Sequence, residues 1–299
     1  MNIAGLISKV ASIFLILSLQ AFAAHPQDTD AIMEVNYWGG KNGRMAYELD
    51  VLRAALEASA EHFPAYQLTI DPSPLGALRG REMVAKGELL NIYVSGLRHD
   101  HLTEQGRIVM VPTPTMKGLL GYRSLIIRKG DHEKFKQITS IDQLQQLVIG
   151  QGRNWEDVVT LQHNQLRIDD SGRYENLLNM LNHHRFDTVL LGALEAPAVL
   201  AESGLNDQLM ILPEMMVYYP HAMIFQVSGN APLLVERLRL GMQVLEENGT
   251  LRQLVGRHFG ETIDQLRRQK SHFIVLEHPT PEDLPSLIAP RLPRETAAE

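Results

Sequence analysis

Gly150 and Gly152 close an apolar run and open onto Arg153-Asn154-Trp155-Glu156-Asp157. A glycine turn that feeds a helix can hold an anion, because the first helical N–H groups are unpaired and sit at the positive end of the helix dipole. Two nucleotide chemistries are excluded. A dinucleotide turn needs a third glycine for close helix–strand packing, and Trp155 follows instead; a phosphate loop needs Gly-Lys followed by Ser or Thr, which is missing. What remains is a site for a carboxylate-like group, with Arg153 and Asn154 as added donors. The plain alternative is a tight turn with Asn154 as helix cap and Asp157 serving the first turn, and both readings stay open.

Other constellations lead to bland readings. His99-Asp100-His101 could offer two imidazoles to a metal but would need further ligands and a second shell that the sequence does not identify, so a polar loop is the preferred reading. His132-Glu133 begins like a zinc-protease helix and fails at Lys136, and no G-x-S-x-G elbow occurs. His183-His184 suits a helix C-terminus. No catalytic residue, metal site or cofactor loop is expected.

Strand-like and helix-like runs alternate, the pattern of an α/β chain. Strands are expected at 31–37, 66–70 and 90–94, with helices at 46–62 and 75–86 between them. An extended segment 121–128 leads into a second unit. There a helix at 140–147, a strand at 147–149, the glycine turn, a helix from Trp155, a helix at 174–182, a strand at 186–191 and a short helix at 197–202 follow in order. Extended residues 215–227 should return the chain to the first unit, which helices at 232–248 and 251–259 complete. Two crossings, near Arg128 and near Tyr218, would join two lobes, and a cleft between lobes suits a small ligand.

The flanks differ from this body. Residues 1–23 carry Lys9, an apolar run from Val10 to Leu19 and a closing Ala21-Phe22-Ala23, the layout of a cleaved secretory signal. The run is too short and too interrupted to span a bilayer. Residues 279–299 hold five prolines and read as an extended tail. The chain has no cysteine, which excludes disulfides and thiolate chemistry. Its net charge of −7 becomes −8 once Lys9 is removed, leaving 27 basic residues against 35 acidic, and argues against a nucleic-acid partner.

Several stretches in order carry a resemblance. They are the Ile149-Gly150-Gln151-Gly152 turn with Trp155-Glu156-Asp157, the segment from Met116 to Gly130, Arg185-Phe186-Asp187, Met215 to Gln226 with Tyr218-Tyr219-Pro220, Leu245 to Leu251, and Val255 to Gly260. Together, over about residues 31–262, the chain resembles the extracytoplasmic solute-binding proteins of family 3, the amino-acid-binding type of periplasmic binding protein. The resemblance implies a two-lobed type II fold, with lobe 1 formed by 24–128 and 219–278 and lobe 2 by 129–218, joined by two extended hinge crossings.

It also implies a periplasmic monomer that captures a small polar solute, an amino acid or related carboxylate, for an ABC-type inner-membrane permease. Two alternatives are a sensor read by a membrane receptor and a dehydratase-like enzyme using Glu195 or Asp100. For the site, the resemblance implies Tyr37 or Trp38 as the aromatic against the solute, Ser95 and Gly96 as the loop receiving its carboxylate, and Arg98 or Arg107 as its arginine. Arg153, Asn154 and Trp155 face it from the second lobe. From the residues themselves, Tyr122 and Arg123 reach the cleft or anchor the crossing strand, and alternation along a strand means that not both point the same way. The family's ammonium-binding aspartate is replaced by Gly192-Ala193-Leu194, which leaves Glu195 as the nearest acid.

Overall fold

The computed structural model describes residues 32–39, 44–98, 100–269 and 271–279. The expected signal, the tail beyond Pro279, and His99 lie outside them. No described helix is long and apolar enough to cross a membrane.

The first half alternates strands β1 (Met33–Trp38), β2 (Tyr66–Asp71), β3 (Ile92–Gly96) and β4 (Ile108–Met110) with helices α1 (Met45–Ala58), α2 (Ala77–Lys86) and α3 (His101–Glu104). The second half holds β5 (Tyr122–Arg128), α4 (His132–Lys136), α5 (Ile141–Leu144), β6 (Val148–Gly152), α6 (Asp157–His163), β7 (Arg167–Gly172), α7 (Leu177–Asn182), β8 (Thr188–Gly192), α8 (Ala196–Glu202) and β9 (Leu209–Tyr218). The chain finishes with β10 (Met223–Ser228), α9 (Pro232–Glu247), α10 (Thr250–Arg268) and β11 (His272–Val275).

These strands form two sheets, ordered β2-β1-β3-β10-β4 and β11-β9-β5-β8-β6-β7. This is the two-lobed α/β architecture expected. In the first sheet β1 runs parallel to β2 and β3, and β10 lies antiparallel between β3 and β4. Helices α1, α9 and α10 cover it through a core that includes Leu52, Leu56, Leu238 and Phe259.

The second sheet is covered on both faces. Within β5, Leu125 and Ile127 join one core and Ile126 the other, as the two-residue period of a strand requires. That central position corrects an expected boundary. Residues 122–128 do not end the first lobe, because β5 pairs with β8 and β9. Arg128 lies at the far end of β5, where its Nη1 donates to the carbonyls of Leu181 and Phe186, each at 2.8 Å.

The chain therefore passes between sheets at 111–121 and again at 219–222. The crossings run side by side: Tyr219 N–H donates to Gly121 O at 3.2 Å. Strand β11, placed by the sequence in the first lobe, pairs with β9 in the second sheet. Strands β4, β7 and β11 were not anticipated; each is short or carries polar side chains that blur the alternating pattern.

Candidate functional site

A cleft of about 510 Å³ opens where the C-terminal ends of β1 and β3 face the turn after β6 and the start of α8. Both sheets line it, and strand ends, helix starts and the turns beside them supply its polar groups, as in other open α/β sheets.

The first lobe brings Trp38, the last residue of β1. Alternation along β1 decides between the two aromatics: Tyr37 is wholly buried and donates its hydroxyl to Glu48 Oε2 at 2.7 Å, whereas Trp38 reaches the cleft. Burial, and then Glu48, raise the Tyr37 phenol well above its usual pKa. Tyr37 is thus a core residue and not a solute contact. Trp38 Nε1 donates to Ser73 O at 3.2 Å, and the ring sits 5.5 Å from that of Tyr93. Gly80 of α2 makes this seat possible, since a Cβ there would lie 2.0 Å from the indole.

The second lobe repeats the device. A Cβ on Gly152 would lie 2.2 Å from the Trp155 ring, so the opening glycine exists to seat a tryptophan. Trp155 packs in turn against Tyr174 at 5.9 Å between centroids. Asn154 takes the left-handed conformation, φ 61°, which turns the chain toward the helix. Asn154 is not the helix cap; Glu156 holds that position and Asp157 begins α6. Two carboxylates therefore stand at the helix start, and the turn is not an open anion site.

Ionic contacts bridge the lobes. Arg44, at the start of α1, pairs with Glu48 at 3.1 Å and, across the cleft, with Glu195. Burial disfavours the Arg44 charge, but Glu195 and Glu48 outweigh it and raise its pKa. Glu195 Oε1 also accepts from Gly192 N–H at 3.2 Å. The second bridge joins Glu156 Oε1 to Ser95 Oγ at 3.2 Å and to Arg98 Nη1 at 3.3 Å. Arg98 Nη1 further donates to Asn154 O at 3.3 Å. Burial pushes the Glu156 carboxyl up, against the opposing pull of Arg98.

Behind them lies a buried triad. Arg123, only 3% exposed, lies 2.5 Å from Asp157, which also accepts from the Tyr219 hydroxyl. The guanidinium stands 5.0 Å from the Tyr219 ring centre. Burial pushes the Asp157 carboxyl up, but Arg123, His221 and the Tyr219 hydroxyl together hold it below its ordinary value. Burial drives His221 down to about 4, so its imidazole is neutral near pH 7.

Of the expected residues, the cleft gathers Trp38, Ser95, Gly96, Asn154, Trp155 and Glu195, with Arg98 tied to Glu156 beside them. Three others lie elsewhere. Arg107 faces away and pairs with Glu82 at 3.4 Å, because β4 carries it to the sheet edge. Tyr122 packs against Tyr218 and Phe273, its neighbour Arg123 taking the cleft side of β5. Arg153 is exposed and donates to Ser171 O at 2.5 Å. Asp100, considered as an acid–base group, caps α3 and binds Arg81 at 2.8 Å.

Arg44, Glu48, Glu156, Asp157, Tyr174 and His221 were not anticipated as cleft residues. For Glu156 a signal existed, since it adjoins an expected residue and only side-chain parity was undecided. For Arg44 none existed. Among the described residues no group of His, Asp and Glu is placed to hold a metal ion.

No family model and no curated protein matches the chain. Solved structures do match. The GluR0 ligand-binding core in complex with L-glutamate aligns over 77% of this chain and 99% of its own, with TM-score 0.56 and 16% identity. A periplasmic binding protein from Salmonella typhimurium with high arginine specificity aligns over 76% and 99%, with TM-score 0.55 and 14% identity. The substrate-binding protein of an amino acid ABC transporter aligns over the same shares, with TM-score 0.52 and 13% identity. The fold is that of the two-lobed, type II periplasmic binding proteins.

Proposed function

We propose that this protein captures a small polar solute of amino-acid size between its two lobes, outside the cytoplasm, and presents it to an ABC-type permease. The observation that carries this reading is one cleft, about 510 Å³, lined from both sheets by charged and aromatic side chains and bridged by Arg44–Glu195 and Arg98–Glu156. Such a volume suits a small molecule. The fold's other members with named amino-acid ligands or transporters support the same reading.

Capture follows from the geometry. The paired crossings at 111–121 and 219–222 form a narrow hinge, and a solute touching both lobes binds the closed form more tightly and shifts the population toward it. The chain binds and releases its solute unchanged, with Glu195 paired to Arg44 and Asp100 to Arg81 and Arg98.

The test is thermal unfolding and small-angle scattering with a panel of amino acids, amines, small acids and short peptides. A ligand that raises the unfolding temperature and compacts the protein is the expected result. A panel that does neither would remove the support for solute capture.

A further inference from the structure

We propose that the solute is an organic cation recognised by its amine or guanidinium end, and that a free carboxylate is not part of what the cleft recognises, because Glu156 supplies one from the protein itself. This rests on the reading of the cleft as a solute site.

The donors expected to receive a solute carboxylate are already answered. Ser95 Oγ and Arg98 Nη1 converge on one oxygen of Glu156, a residue of the opposite lobe. A protein carboxylate thus sits where the solute's was expected. Arg98 is further held by Asp100 at 3.3 Å. Arg81, 2% exposed, spends its guanidinium on Tyr93, on Gln226 at 2.7 Å and on Asp100 at 2.8 Å. Arg123 lies 2.5 Å from Asp157, while its Nε and Nη2 are buried without a hydrogen-bond partner among the described residues.

The remaining balance favours a cation. Among the described lining residues stand three arginines, 44, 81 and 123, with Arg98 beside them on Glu156, against the five carboxylates of Glu48, Glu156, Asp157, Glu175 and Glu195. Glu48 and Glu195 share the guanidinium of Arg44, so a second cation beside Glu195 adds a charge-assisted hydrogen bond where acceptor capacity remains. The aromatic pairs Trp38–Tyr93 and Trp155–Tyr174 stand on opposite lobes, and their faces suit a desolvated organic cation better than an anion.

The experiment titrates the intact protein calorimetrically with matched pairs that differ only by the carboxylate: arginine and agmatine, lysine and cadaverine, tyrosine and tyramine. The expected result is that the amine of at least one pair binds, as tightly as its amino acid or more so. Amino acids that bind while every decarboxylated partner fails would overturn the inference and leave solute capture standing. Silence from both members of every pair, and from the wider panel, would overturn both. Glu195→Gln should weaken amine binding about tenfold or more, the loss of a charge-assisted hydrogen bond. Unchanged affinity in a variant that melts normally would contradict the role of Glu195.

Discussion

Arg44 and Glu195, 151 residues apart in the chain, meet across the cleft, the first from the start of α1 and the second from the turn that opens α8. Both side chains are mostly buried, so each needs the other to offset the loss of water. Arg44→Ala leaves Glu48 and Glu195 together without their guanidinium and should cost about 3–5 kcal/mol in urea unfolding. Glu195→Gln keeps the Arg44–Glu48 pair and should cost less, about 1–2 kcal/mol. A Glu195→Gln variant as stable as the parent would mean that the cross-cleft contact carries no weight.

The tryptophan seats give a steric prediction. Gly80→Ala and Gly152→Ala each drive a methyl group into an indole, at 2.0 and 2.2 Å, and should destabilise by about 1–3 kcal/mol with a shift in tryptophan emission. Gly256→Ala, within α10 and with nothing within 4 Å, should instead stabilise by about 0.5–1 kcal/mol. Chemical denaturation of the three variants checks the contrast.

Burial makes His221 a pH reporter. Its pKa falls from 6.5 to about 4, burial outweighing the pull of Asp157, while Arg123 and Arg44 add to the fall. A depressed pKa contributes stability that is complete above pH 6.5 and is lost as pH falls toward 4, up to roughly 3 kcal/mol. Glu156 acts in the opposite sense, because its raised pKa favours the folded state as pH falls through it. The urea midpoint should therefore drop between pH 7.5 and pH 5, and drop less in His221→Gln. Identical pH profiles would contradict the assignment.

Three arginines separate the cleft from its surroundings. Arg107→Ala and Arg153→Ala remove a half-buried and an exposed side chain outside the cleft and should leave ligand affinity and stability within about 0.5 kcal/mol. Arg98→Ala takes the guanidinium from Glu156, which keeps its hydrogen bond from Ser95, and should change affinity about tenfold or more. Titration with whichever ligand raises the unfolding temperature tells them apart.

Strand ends could be read from the sequence, and with them Ser95, Gly96, Trp155 and Glu195. Parity could not. Tyr37 against Trp38, and Tyr122 against Arg123, are neighbours that point to opposite faces, and only the pairing of β1 and β5 within their sheets decides which face is the cleft. Arg44 was invisible for another reason: a cation at a helix start looks like a solvated residue until the second lobe brings Glu195 to it. Glu156 likewise gains its meaning from Ser95 and Arg98, 61 and 58 residues earlier. The placement of β5 and β11 depended on long-range pairing that local patterns do not encode.

Closure around a solute is the central claim, and a distance between the lobes measures it. The chain has no cysteine, so spin labels can be placed at Leu78→Cys on α2 and Val159→Cys on α6, both exposed positions. Pulsed electron-spin distance measurement should give a broad distribution without ligand and one shorter, narrower distance once a cleft ligand saturates. A distribution unchanged at saturation by every ligand that binds would contradict the account.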